Sequence, residues 1–327
     1  MIRKTGVMRP TRRHPAARKP AARTLRSAAT AASAAVVTLL ALTGCSSGGP
    51  SEPSAVQSSL AAQTDATASA AAGSLPAPQH VVLVMEENHS YSDIIGSSDA
   101  PYINALASQG ALFTSSYAVA HPSEPNYAAI FSGSTQGLTD DSCPHTFTGP
   151  NLGSELLASG RTFAGYSESL PNTGYTGCNS GDYARRHNPW VNFPNIPASD
   201  NRPFAAFPTS AAGFAALPTL SIVVPNVQND MHDGTVQQGD TWLKDNLSAY
   251  ATWAKTHDSL LVVTWDEDDN SASNHIPTLV AGANVRPGHY AELVDHYRTL
   301  RTLESLYGLS PVGESAQRQP VTDIWQP

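Results

Sequence analysis

Positive charge is nearly absent from most of this chain. Of its 19 Lys and Arg residues, nine stand before Cys45 (Arg3, Lys4, Arg9, Arg12, Arg13, Arg18, Lys19, Arg23 and Arg26), with no acidic residue among them. The remainder therefore sets ten basic residues against all 27 acidic ones, a formal charge of −17. Such a chain offers no basic face to a nucleic acid. It also surrounds any anionic ligand with a repulsive long-range field. An anion bound here needs a strong local attraction, and a metal ion is the natural source.

A long apolar run is missing too. The stretch from Ala28 to Leu42 is rich in Ala, Val and Leu, but Thr30, Ser33 and Thr38 break it, and it is short for a membrane-spanning helix. A basic region before it and small residues after it make it an export signal. It closes on Leu42-Thr43-Gly44-Cys45, which resembles a bacterial lipobox, whose cysteine becomes the lipidated first residue. The alternative is an ordinary signal peptide cut elsewhere, with Cys45 incidental. Arg12-Arg13 hint at twin-arginine export, although His14-Pro15 follow where an apolar residue is usual. Residues 1–45 are thus expected to be a signal peptide with a lipobox. The product is expected to be exported, as a cell-surface lipoprotein or a secreted protein, with the membrane as a partner through its lipid.

Cysteine is scarce. Besides Cys45 there are only Cys143 and Cys178. Export places them in an oxidising compartment, where a disulfide is the default and two free buried thiols the alternative. Large apolar residues are almost lacking from residue 46 to 78, a stretch of Ser, Ala, Thr, Gln, Gly and Pro. It cannot bury a core and reads as a flexible linker. Residues 79–327 remain, a length that suits one α/β domain, and no internal repeat divides them.

What is present in that domain alternates between strand and helix patterns. His80 to Met85, Leu220 to Val224, Leu260 to Trp265 and Ile276 to Ala281 read as strands. Pro101 to Ser108, Asn126 to Phe131, Gly153 to Ala158, Asp240 to His257 and Tyr290 to Tyr307 read as helices. Strands that are apolar throughout are buried on both faces, which predicts a mostly parallel central sheet with helices on both sides. Such sheets bind ligands at the carboxyl ends of their strands. Glu86-Glu87-Asn88, Pro225-Asn226 and Asp266-Glu267-Asp268-Asp269 fall at those ends.

Carboxylates packed so tightly repel one another unless a cation neutralises them. The donors are oxygens, which suit a hard divalent ion such as Ca²⁺, Mg²⁺ or Mn²⁺ better than Zn²⁺. The competing reading is a solvated acidic loop after each strand. In His121-Pro122-Ser123-Glu124-Pro125-Asn126, Ser123 precedes a predicted helix, and on the residues alone it is first an N-cap. The same helix start is an anion site, where a hydroxyl beside a cation can attack phosphorus. His232, in Asn229-Asp230-Met231-His232-Asp233-Gly234, is either a proton donor to a leaving group or an exposed turn residue. His275 is a second candidate. His145, His187, His257, His289 and His296 read as surface or structural.

These motifs resemble the phosphoesterase family of secreted bacterial acid phosphatases and phospholipases C, within the alkaline-phosphatase-like superfamily. The resemblance runs from about Gln79 to Trp325 and is nearest to small secreted acid phosphatases of actinobacteria, some of which act on phosphoinositides. It implies that Glu87, Asn88, Asp266 and Glu267 hold the metal, and that Ser123 carries the phosphoryl group, which reverses the N-cap reading. It further implies His232 as a catalytic partner, and Asn126, Asp233 and His275 as substrate-binding residues. The expected function is hydrolysis of phosphate monoesters through a phosphoserine. The alternatives are a phospholipase C or other phosphodiesterase and, outside enzymes, a solute-binding lipoprotein.

Overall fold

The computed structural model describes residues 75–270 and 273–326. The expected signal peptide, Cys45 and nearly all of the linker lie outside the described residues. Eight strands form the central sheet: β1 (His80–Glu86), β2 (Ala111–Phe113), β3 (Phe163–Ser167), β4 (Asn201–Pro203), β5 (Leu220–Val224), β6 (Ser259–Trp265), β7 (Thr278–Gly282) and β8 (Gly288–Tyr290). Their order is β8-β2-β7-β6-β1-β5-β3-β4. All neighbours run parallel except β7, which is antiparallel to both β6 and β2.

The central strands β1, β5 and β6 are buried along their whole length, as their unbroken apolar sequences require. Alternate residues feed two separate cores. Val81, Leu83 and Met85 face helices α2 (Ser123–Ser132), α3 (Leu152–Ala158) and α5 (His296–Leu306). Val82 and Val84 face α1 (Pro101–Gln109) and α4 (Val236–Ala254). The predicted α/β layering is the one found. In β3, Gly165 is bare because Trp190 lies on it: a Cβ there would stand 2.1 Å from Trp190 Cε2.

Boundaries differ where capping chemistry outranks apolar spacing. α4 begins at Val236, not Asp240, because Thr235 Oγ1 accepts from the Gln238 amide at 3.2 Å. α5 begins at His296, not Tyr290, because Asp295 caps it through the Arg298 amide at 2.7 Å, while Gly288–Tyr290 pairs with β2. α2 begins at Ser123 itself, with Pro122 at the N-cap position. Ser123 is therefore the first helical residue, and the N-cap reading of it fails. Pro125, in the first turn, lacks only an amide that would have no intrahelical partner there.

Candidate active site

Parallel neighbours share one carboxyl edge, and β6, β1 and β5 lie side by side there. Glu86 pairs with Trp265 in register, so Glu87 and Asp266 leave the sheet together. Backbone bonds fix their exit: the Asp266 amide donates to Glu86 O at 2.9 Å and the Glu87 amide to Asp230 O at 2.8 Å. Asp230 lies on the loop that follows β5. Three loops thus converge, as the sequence pattern requires.

Ser123, 1% exposed, is aimed at this edge. Its hydroxyl lies 3.1 Å from Glu87 Oε2 and 3.2 Å from Glu267 Oε1. Asn126 sets its position. The Asn126 Oδ1 accepts from the amides of Val119 and Ala120 at 3.1 and 3.0 Å, and its Nδ2 donates to the carbonyls of Ala120 and Pro122 at 2.9 and 3.2 Å. With both ends of the amide engaged on the turn before Ser123, Asn126 is a clamp on the hydroxyl's loop. No substrate contact by it is needed to account for it.

The carboxylates around Ser123 are in electrostatic trouble as they stand. Burial, and then the charges of Asp266 and Asp230, push Glu87 well above the usual carboxylate range. Burial, and then Glu267, do the same to Asp266, and burial raises Glu267. Asp266 Oδ2 is buried without a hydrogen-bond partner. The amide end of Asn88 faces Glu267 Oε1 and Glu87 Oε2 at 3.2 and 3.1 Å. Turned nitrogen-first it donates to both. Turned oxygen-first it completes an all-oxygen cage that needs a cation to hold it together. Glu87, Asn88, Asp266 and Glu267 therefore fit a hard divalent ion.

Among the described residues, the group of acids and histidines whose ligand atoms all lie within 4.8 Å of one another is a different one, Glu87, His187 and His232. A guanidinium intrudes there, with Arg186 Nη2 3.2 Å from His232 Nε2. An adjacent fixed positive charge disfavours a cation, so the carboxylate cage is the better candidate. His232 Nδ1 lies 2.7 Å from Asp233 Oδ1, which turns its Nε2 toward Arg186 and the site. His232 and Asp233 are thereby joined to the site's rim.

His187 was set aside in the sequence reading, and the structure places it at the centre. It is 1% exposed, with Nε2 3.1 Å from Glu87 Oε1 and Nδ1 3.2 Å from Asp230 Oδ2. Its ring stacks on Tyr127, whose hydroxyl donates to Glu87 Oε1 at 2.5 Å. Burial pushes His187 well below its ordinary value and Asp230 up to about 8. His121 joins Glu267 Oε2 and lies 3.6 Å from Asp268 Oδ1. The available signal was Arg185-Arg186-His187: two of only ten cations beyond Cys45 stand side by side there. His275 is held otherwise. It is stacked between Tyr91 and Tyr117 at 4.6 and 5.0 Å, with Nε2 3.1 Å from Thr114 O. None of these contacts reaches Ser123.

Cys143 and Cys178 form the expected disulfide. The loop they close touches α2, since His145 Nε2 lies 3.6 Å from Glu124 Oε2; just before the loop, Asp141 Oδ1 accepts from the Glu124 amide at 2.9 Å.

Comparison with known proteins decides the family. The family model described as the phosphoesterase family matches residues 97–310. This chain belongs to that family. The phosphoesterase is 55% identical to a phosphatidylinositol-3-phosphatase of Mycobacterium tuberculosis over 256 residues, 78% of this chain and 85% of that one. It is 30% identical to an acid phosphatase of Aspergillus fumigatus over 247 residues, 69% of this chain, but the match spans only 54% of the fungal protein. Among solved structures, a protein of the alkaline phosphatase superfamily from Vibrio parahaemolyticus superposes with a TM-score of 0.52 at 14% identity, covering 76% of this chain and 72% of that one. A lipoteichoic acid synthase from Listeria monocytogenes gives 0.53 at 12% identity, covering 73% and 74%. These two likenesses concern the fold alone, and it is the alkaline-phosphatase-like fold expected of the phosphoesterase. The expectation of an enzyme, a phosphatase and not a solute-binding lipoprotein, stands with the family and its named relatives.

Proposed function

We propose that this phosphoesterase hydrolyses phosphate monoesters, inositol lipid headgroups among them, through a phosphoserine on Ser123. The observation that carries the reading is the buried Ser123 hydroxyl lying within hydrogen-bond distance of two carboxylates, Glu87 and Glu267. A hydroxyl at a helix N-terminus, beside carboxylates that themselves contact His121 and His187, suits in-line attack on phosphorus. The relative named for phosphatidylinositol 3-phosphate supports the substrate class.

Glu87, Asn88, Asp266 and Glu267 would hold a divalent ion, Ca²⁺, Mg²⁺ or Mn²⁺, which when bound offsets the negative charge gathering on the serine and phosphate oxygens. The chain's own groups do the rest. Ser123 Oγ gives its proton to a neighbouring carboxylate as it bonds to phosphorus. The bond from phosphorus to the ester oxygen breaks, and a protonated His232 supplies that oxygen with a proton. Water then attacks the phosphoserine and gives a proton back to His232; the bond from phosphorus to Ser123 Oγ breaks, the carboxyl returns its proton to Oγ, and inorganic phosphate leaves. We further propose that the enzyme is exported and lipid-anchored through Cys45, which would hold it beside membrane substrates.

Ser123→Ala tests the core of this. Turnover of p-nitrophenyl phosphate should fall by at least about 10³-fold, with melting temperature and metal content unchanged. Acid quenching of the wild type during turnover of labelled substrate should trap phosphate on Ser123. Undiminished turnover in the variant would remove Ser123 from the reaction. Faster cleavage of bis-p-nitrophenyl phosphate than of the monoester would favour a phosphodiesterase.

A further inference from the structure

A site built from Glu87, Asp230, Asp266 and Glu267 is a hostile place for a phosphate dianion. One bound metal ion cannot neutralise four carboxylates and a doubly charged substrate, so another cation has to face the substrate. The fold supplies few. Arg161 lies over the Tyr307 ring. Arg202, Arg298 and Arg318 pair with Asp200, Glu292 and Asp295. Arg185 is a structural anchor, with its guanidinium bonded to Asn192 Oδ1 and to the carbonyls of Thr176, His145 and Val191.

Arg186 differs from all of these. Among the described residues, no carboxylate lies within ion-pair distance of it. Its Nε is buried with no hydrogen-bond partner, and Nη2 has only His232 Nε2, at 3.2 Å. Its side chain is only part-exposed, and it adjoins the site through His232, whose ring lies 5.8 Å from that of His187. The backbone is fixed on both sides. The Arg185 amide donates to Cys178 O at 2.9 Å, and His187 is packed against Glu87 and Asp230. An arginine held this rigidly, with donors left over, is preorganised for an anion.

We propose that Arg186 recognises the second negative charge of a phosphate monoester, and that this guanidinium sets the preference for monoesters over diesters. The proposal rests on the reading of the enzyme as a monoesterase acting through Ser123. A diester phosphate carries one charge and a second ester substituent, so it gains less from the guanidinium and crowds it. A monoester dianion presents oxygens for a paired, charge-assisted contact.

The test uses the full metal-loaded enzyme and its Arg186→Gln variant, with p-nitrophenyl phosphate, bis-p-nitrophenyl phosphate and inorganic phosphate as an inhibitor. The variant should lose roughly 100-fold in kcat/KM for the monoester, the scale expected for lost charge-assisted hydrogen bonds. Its kcat/KM for the diester should stay within about threefold, and its inhibition constant for phosphate should rise at least about tenfold. A wild type that prefers the monoester, with a variant that keeps the same ratio, overturns the role of Arg186 and leaves the monoesterase reading intact. A wild type that prefers the diester overturns both. Should the variant fail to fold, the wild type still decides: inorganic phosphate should inhibit at least about tenfold more strongly than dimethyl phosphate, and equal inhibition would defeat the proposal.

Discussion

At the scale of single residues, the site is a balance between burial and charge. Glu87 serves Ser123, Tyr127 and His187 at once, yet burial opposes its ionisation. Without a cation it is a destabilising charge; the proposed cation would make it a ligand. Glu87→Gln should therefore raise the melting temperature of chelator-stripped protein, while shrinking the rise that added metal gives and cutting turnover by orders of magnitude. Thermal scans with and without metal check this, and a variant that gains as much from metal as the wild type would show that Glu87 is no ligand. Glu87, Ser123, Asp266 and Glu267 were legible in the sequence because each follows an apolar strand or opens a helix. His187, Asp230 and Tyr127 were not, because what matters about them is which strand neighbours which. The order β6-β1-β5 brings the loop after β5 against Glu87, and no local pattern encodes that adjacency.

At the scale of elements, the strands were read well and the caps poorly. Apolar runs mark β1, β5 and β6 within a residue, whereas β3, diluted by Gly165 and Ser167, gives no run to read. Two elements make predictions of their own. The disulfide joins residues 35 apart, and the loop it closes is tied to Glu124 through His145 and to Arg185 through Thr176, the neighbours of Ser123 and Arg186. Closing such a loop stabilises by roughly 3–4 kcal/mol in the chain-entropy model, so reduction should lower the melting temperature by roughly 10 °C. It should also raise KM more than it lowers kcat, because the loop braces the binding residues. Unchanged kinetics after reduction would leave the bridge purely structural. The second element is the end of α5. Glu304 Oε1 accepts from the Val312 amide at 2.8 Å, and Ser315 Oγ donates to Glu304 Oε2 at 2.8 Å. Burial pushes Glu304 up to about 7 from an ordinary 4.5. Between those values the native state holds a proton that the unfolded chain has lost, so stability falls as pH rises through that window. Glu304→Gln keeps the acceptor and removes the titration. The variant's melting temperature, relative to wild type, should climb from pH 4.5 to 7.5; a constant difference would refute the assignment.

At the scale of the whole molecule, the fold delivers three acidic loops to one edge of a sheet within a chain that is already strongly acidic. With ten basic against 27 acidic residues beyond Cys45, the general field repels a phosphate ester while the site attracts it locally. The two differ in range. The field acts over the Debye length, about 10 Å at 0.1 M salt and about 30 Å at 0.01 M. The proposed attraction, at Arg186 and at a cation held by the carboxylate cage, acts at contact and is screened little. Added salt should therefore weaken the repulsion first. From 10 to 200 mM sodium chloride, KM for a soluble phosphomonoester should fall about two- to fivefold while kcat holds steady. A neutralised substrate separates this from a change in the enzyme itself: the diester, with less charge, should show a smaller effect. Vesicles carrying phosphoinositides extend the same logic, since an anionic surface adds its own repulsion and should make the salt dependence steeper. A KM that rises with salt would mean that attraction, not repulsion, governs approach to the site, and that the acidic surface is turned away from the path the substrate takes.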